Sequence, residues 1–150
     1  MMEPQATSEV RARPLSEGAL QIVVGENNED LATTLCLLLE TEPDMRCVAN
    51  VSSKSGVLRA VDEHAPNAFV LDLSLDDGSS LPLISTLRER LPQAAIVVFT
   101  GHKNELLNEE CLRAGANAVV VKTGEIEELT GALRRAAREG GARSGGSSAS

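Results

Sequence analysis

Apolar positions along this chain alternate between two kinds of pattern. Short, nearly continuous apolar runs occur at residues 20–24, 45–51, 68–73, 94–99 and 117–121, rich in Val, Ile, Leu and Ala. Runs of that length suit strands buried on both faces. Between them, apolar residues recur at helical spacing. Leu31, Leu35, Leu38 and Leu39 mark a first amphipathic helix, stopped by Pro43, and Val57, Leu58 and Val61 mark a second, ending before Pro66. Leu81, Ile84, Leu87 and Leu91 mark a third with Pro82 in its first turn, and Leu106, Leu107 and Cys111 face inward on a fourth from about Asn104 to Ala114. Ile126, Leu129, Leu133 and Ala137 form the apolar side of a fifth, from Glu125 to about Glu139.

Local chemistry supports these boundaries. Asn28 is placed to cap the first helix, with Glu29 and Asp30 in the first turn where negative charge suits the dipole. Ser52 or Ser53 caps the second, and Gly115 closes the fourth. Strict alternation of strand and helix implies a parallel sheet with right-handed crossovers. Five strands and five helices predict an α/β three-layer sandwich of the flavodoxin-like order 2-1-3-4-5. The domain is expected to span residues 18–139. A Pro-containing polar segment, 1–17, reads as a disordered lead-in, and the Gly/Ser-rich stretch 140–150 as a flexible tail.

Composition narrows the picture. At 150 residues the chain can bury one core unaided, almost wholly aliphatic, with no Trp or Tyr and Phe only at 69 and 99. Residues 18–131 hold 8 Lys/Arg against 18 Asp/Glu, a net of −10, whereas residues 132–150 hold four Arg against one Glu. An acidic body argues against direct nucleic-acid binding, which needs a basic face. No membrane-length apolar run and no signal-peptide core are present, so the expected location is the cytoplasm. Cys36, Cys47 and Cys111 are an odd number at wide spacing, and are expected to be buried free thiols.

Chemistry concentrates where the strands end. In the predicted strand order, the first strand delivers Glu26 and Asn27, the third Asp72, the fourth Thr100 and the fifth Lys122 to one carboxyl edge. Glu26, Asp72 and the Asn27 amide oxygen form an all-oxygen set suited to Mg²⁺. A Lys and a Thr hydroxyl beside them suit the oxygens of a transferred phosphoryl group. Neither a Walker-type loop nor a Gly-x-Gly-x-x-Gly turn is present, so nucleotide binding lacks its usual cradle. His102 reads as a solvated loop residue and His64 as a structural helix-end residue.

Four blocks, Ile22-Val23-Val24-Gly25-Glu26-Asn27-Asn28-Glu29-Asp30-Leu31, Val70-Leu71-Asp72-Leu73-Ser74-Leu75-Asp76-Asp77-Gly78, Val97-Val98-Phe99-Thr100-Gly101 and Ala114-Gly115-Ala116-Asn117-Ala118-Val119-Val120-Val121-Lys122, occur in order. Together they resemble the receiver domain of two-component response regulators over residues 20 to about 138. The resemblance implies that Asp72 accepts a phosphoryl group from a histidine kinase or histidine phosphotransferase, with Mg²⁺ held by Glu26, Asn27, Asp72 and the backbone carbonyl of Ser74. It implies Thr100 as the switch hydroxyl, Lys122 as partner of a phosphoryl oxygen, and Gly101 as leaving room beside Thr100. Such a module is a signalling switch rather than an enzyme. Its downstream protein or homodimer partner would dock through the fourth helix, fifth strand and fifth helix, with no membrane and no direct nucleic-acid contact.

The chain departs from the family pattern at four positions. Asn27 replaces a second carboxylate, Asp76 and Thr123 stand where prolines are usual, and Val119 replaces an aromatic. These departures motivate the alternative of a phosphorylation-independent pseudo-receiver acting as a protein-interaction module. A phosphoryl-aspartate hydrolase is remote, because Ser74 stands where such an enzyme needs a second acid. Residues 1–150 contain no output domain, so the receiver is expected to stand alone or to continue through its Gly/Ser tail.

Overall fold

Each of the five apolar runs becomes a strand of one sheet. A computed structural model describes residues 19–102 and 104–149, with side chains described only as far as residue 140. The 1–17 segment lies outside the described residues. In chain order the elements are β1 (Leu20–Gly25), α1 (Glu29–Leu39), β2 (Met45–Val51), α2 (Lys54–His64), β3 (Ala68–Leu71), α3 (Leu81–Arg90), β4 (Ala95–Thr100), α4 (Glu105–Ala114), β5 (Ala118–Val121) and α5 (Ile126–Ala149). The main sheet is parallel throughout, in the order β2-β1-β3-β4-β5. That is the flavodoxin-like arrangement expected from the alternation of patterns. A two-residue antiparallel hairpin, Ser74–Leu75 against Gly78–Ser79, follows β3.

Side-chain alternation along the strands splits the core in two. Ile22, Val24, Val70, Val97 and Phe99 point to one face, where Ala32, Leu35 and Leu39 of α1 and Leu129, Ala132, Leu133 and Ala136 of α5 cover them. Val23, Phe69, Leu71, Ile96 and Val98 point to the other, beneath Val57 and Val61 of α2, Leu83, Ile84 and Leu87 of α3, and Cys111 of α4. Both faces are covered, so the strands have no solvated side and need no polar alternation. Polar groups are displaced to the strand ends.

Two leucines expected in the core are not there. Leu106 is 76% exposed and Leu38 40% exposed. Leu106 lies five residues before the buried Cys111, about 140° around a helix of 3.6 residues per turn, and so faces away from the sheet. On α1 the buried stripe is Ala32, Leu35 and Leu39, which leaves Leu38 on its flank. The free-thiol expectation also needs correction. Cys36 and Cys47 form a disulfide between α1 and β2, with Cα atoms 5.4 Å apart, while Cys111 is free and buried. Pairing of β2 with β1 lays Cys47 under α1, a proximity that an 11-residue spacing in sequence does not reveal. The last helix also runs past Glu139 to Ala149. Glycine weakens a helix by about 1 kcal/mol relative to alanine but does not stop it as proline does.

Two arginines tie helices to the amino edge of the sheet. Arg88 on α3 donates to the Gly115 carbonyl (3.0 and 2.9 Å), the Pro92 and Ala94 carbonyls (2.8 Å each) and Asn117 Oδ1 (2.9 Å). Gly115 has φ +129°, and a Cβ there would lie 2.8 Å from Arg88 Cβ, so glycine is required both for the helix end and for the approach of α3. Arg134 on α5 donates to both Asp44 oxygens (2.9 and 2.8 Å) and to Glu42 (2.6 Å), joining the last helix to the turn before β2.

Arg88→Met removes the donors that satisfy several carbonyls and should cost about 2–4 kcal/mol in urea unfolding. Arg134 holds the Asp44 carboxyl below its ordinary range, chiefly by hydrogen bonding. Stability from that pair is present above the unfolded carboxylate pKa and is lost as pH falls through the lowered folded value. Arg134→Gln should therefore cost under about 1 kcal/mol near neutral pH, because the pair is partly exposed, and less once Asp44 is protonated.

Candidate functional site

The residues that follow β1, β3 and β5 converge because their backbones continue the strand ladder for one step. The Asp72 amide donates to Gly25 O (2.8 Å), the Lys122 amide to Thr100 O (2.7 Å) and the Glu26 amide to Val51 O (2.9 Å). These bonds set the Cα positions from which the side chains start. Gly25 permits the close packing beneath them, since a Cβ there would lie 3.0 Å from Leu71 and 3.2 Å from Val57.

At the centre, Lys122 Nζ lies 2.8 Å from Glu26 Oε1 and 3.3 Å from Asp72 Oδ2. Glu26 is almost fully buried, at 2% exposure, and Asp72 is buried at 9%. The other Glu26 oxygen accepts the Asn28 amide at 3.0 Å. Two buried carboxylates share one ammonium, so the local charge is −1. Burial penalises uncompensated charge, and a carboxylate edge of this kind attracts a cation.

Thr100 ends β4, buried, and its hydroxyl stays within its own loop, accepting the His102 amide at 3.3 Å. Asn27 is exposed and borders the same groove of about 510 Å³ as Glu26, Ser52, Arg59 and Asp76. Ser74 starts the short hairpin two residues beyond Asp72, its amide 3.5 Å from Asp72 Oδ1. The structure thus brings Glu26, Asp72 and Lys122 into contact and leaves Thr100, Asn27 and Ser74 around them. A Cβ at Gly101 would meet nothing within 4 Å, so the space beside Thr100 is open.

Two contributors were not foreseen from sequence. Ser80 is fully buried at the N-cap position just before α3, yet its side chain makes no capping bond to the helix. Its hydroxyl instead donates to the backbone carbonyl of Asp72. Asp77 reaches across to α2, accepting the Lys54 amide at 2.7 Å and the Ser55 amide at 3.2 Å. A serine before Leu-Pro reads as an ordinary helix cap, and an Asp-Gly pair as an ordinary turn, so neither carried a distinguishing signal.

The donor set suits an oxygen-seeking dication: two carboxylates, with Asn27 on the same groove as Glu26 and the Ser74 backbone beside Asp72. Among the described residues no group of three or more His, Cys, Asp and Glu forms a ready cage. Such an ion would need water and backbone oxygen as well, in keeping with the habits of Mg²⁺.

A doubly wound parallel sheet with an acid–lysine cluster at its carboxyl edge defines a flavodoxin-like class of signalling and ligand-binding domains. The Response regulator receiver domain family matches residues 22–134, and the chain belongs to it. Among its relatives, the oxygen regulatory protein NreC of Staphylococcus haemolyticus is 28% identical over 116 residues, covering 77% of this chain and 54% of that protein. The photosynthetic apparatus regulatory protein RegA of Rhodovulum sulfidophilum is 31% identical over 111 residues, 67% of this chain and 61% of RegA. The chain therefore spans little more than half the length of these relatives. In fold it is similar to a LuxR-family two-component response regulator from Aurantimonas sp. SI85-9A1, with TM-score 0.75 at 22% identity over 81% of this chain and 86% of that one. A LuxR-family DNA-binding response regulator from Staphylococcus aureus gives TM-score 0.73 at 19% identity, over 79% and 98%.

The shared ammonium has a consequence of opposite sign at its two ends. Lys122→Met leaves two buried carboxylates facing each other and should cost about 2–3 kcal/mol. Asp72→Asn removes the surplus negative charge and should leave stability unchanged or raise it, both read by urea denaturation near neutral pH.

Proposed function

We propose that Asp72 is the phosphoacceptor of a two-component phosphorelay, taking its phosphoryl group from a histidine kinase or histidine phosphotransferase. The observation that carries this reading is the buried Asp72–Lys122–Glu26 cluster at the carboxyl edge of the sheet. One Asp72 oxygen attacks the phosphorus in line, the P–N bond to the donor imidazole breaks as the P–O bond forms, and the nitrogen keeps the electron pair and takes up a proton. Lys122, already within reach of both carboxylates, turns its ammonium toward the incoming phosphoryl oxygens. Glu26, Asn27, Asp72 and the Ser74 carbonyl would hold Mg²⁺, which supplies charge neutralisation to that transfer.

Among the described residues the Thr100 hydroxyl is engaged only by weak bonds to its own loop, and it can exchange them for an acyl-phosphate oxygen. The readout surface is the α4–β5–α5 face. Support for that choice comes from α4, where Leu106 is 76% and Leu112 48% exposed. A downstream protein or a second copy docks there. With the acidic body described above, this domain makes no direct nucleic-acid contact. It is a cytoplasmic switch that receives one phosphoryl group, not a turnover enzyme. The intact acceptor, hydroxyl and lysine set favours this over a phosphorylation-independent interaction module.

Incubation with Mg²⁺ and a small acyl phosphate should add one phosphoryl mass to the wild type and none to Asp72→Ala. No gain in the wild type, or an equal gain in the variant, would sink the reading.

A further inference from the structure

The loop that carries Asp72 is clamped at a point far from it in sequence. Residues 72–80 leave β3 and return at Ser80, whose hydroxyl holds the Asp72 carbonyl and whose amide donates to Leu73 O at 2.9 Å. Between these ends, Ser74 pairs with Ser79 and Leu75 with Gly78, and Leu75 is buried in the core beneath α2 and α3. The hairpin is therefore held at both ends and through Leu75, and its tip is Asp76-Asp77.

That tip is bound both to the turn before α2 and to the helix's first residues. The Asp76 amide donates to Ser52 O at 2.8 Å, while both Asp77 carboxylate oxygens accept the first two amides of α2. Those amides have no partner within the helix. The helix's own cap, Ser53, is occupied by the Gly56 amide at 3.0 Å. Asp77 thus caps α2 from 22 and 23 residues away. Its carboxyl is held below the ordinary range, first by the Lys54 backbone bond, so the clamp stays charged at neutral pH.

We propose that Asp77 is a positioning residue for the phosphoacceptor loop, holding the Ser74 carbonyl beside Asp72 by docking the hairpin on the amino end of α2. The inference rests on the metal site read above. Asp77 touches neither the reacting oxygen nor the metal; it acts on affinity for Mg²⁺ through the backbone that presents Ser74. A residue that only supported the fold would lower stability without selectively weakening metal binding.

The test is a Mg²⁺ titration followed by the NMR amide shifts of Asp72 and Ser74, run beside melting curves and phosphorylation rates by a small acyl phosphate. Asp77→Ala should weaken apparent Mg²⁺ affinity by about tenfold, the scale of outer partners that orient metal ligands. Its rate at saturating Mg²⁺ should stay within about twofold of the wild type, because the nucleophile itself is untouched. Asp77→Asn keeps a capping oxygen and should restore most of the affinity. Ser53→Ala removes the helix's own cap, with a comparable melting shift, and should leave Mg²⁺ affinity in place. Equal affinity in Asp77→Ala and the wild type overturns the inference, as does an equal loss in Ser53→Ala. A wild type with no Mg²⁺-dependent shift at either amide overturns the metal reading, and the inference with it.

Discussion

A single ammonium between two buried carboxylates is the contact on which the carboxyl edge of this domain depends. Lys122 reaches Glu26 and Asp72 from a strand that is not adjacent to either of theirs. Two carboxylates brought this close at low exposure would repel each other strongly. With the lysine between them the cluster is tolerable yet still negative, a balance that leaves it receptive to a cation or to a group that displaces the lysine. The sheet beneath it is arranged to make that geometry inevitable: each of β1, β3 and β5 hands over one charged side chain immediately after its last ladder bond.

The two-sided core explains why the charge is all at the edges. Strands covered on both faces carry mostly apolar side chains, so the buried charged groups collect where the ladder stops. At the amino edge they are used for cohesion, with Arg88 and Arg134 gathering carbonyls and carboxylates from neighbouring elements. At the carboxyl edge the same displacement leaves charges incompletely paired. Stability and reactivity are thereby placed at opposite ends of one sheet, and disturbance of the first need not reshape the second.

Around the cluster, the supporting contacts come from backbone and small polar side chains rather than from further charge. Ser80 turns away from its own helix to hold the Asp72 carbonyl. Asp77 joins the acceptor hairpin to α2, and the proposed role of that hairpin in presenting Ser74 follows from the bonds that hold it. Exposed leucines on α4 give the opposite character, an apolar face with little core burial of its own, in keeping with a surface that changes partners.

The amino-acid sequence by itself determined the five strands, the five helices and their order, because continuous apolar runs and helical spacing are local signals that burial on both faces imposes directly. It also singled out Asp72, Glu26, Thr100 and Lys122, since these polar side chains interrupt or directly follow the apolar runs. Only the tertiary structure decided what those residues touch. The lysine bridge, the Cys36–Cys47 bond, the hydroxyl of Ser80 and the reach of Asp77 join positions between 8 and 96 residues apart, and no periodicity encodes such distances. The two-residue hairpin is too short to show alternation, and the outward turn of Leu106 depends on which side of α4 meets the sheet. Local physics chose the elements; contact between distant segments chose the site.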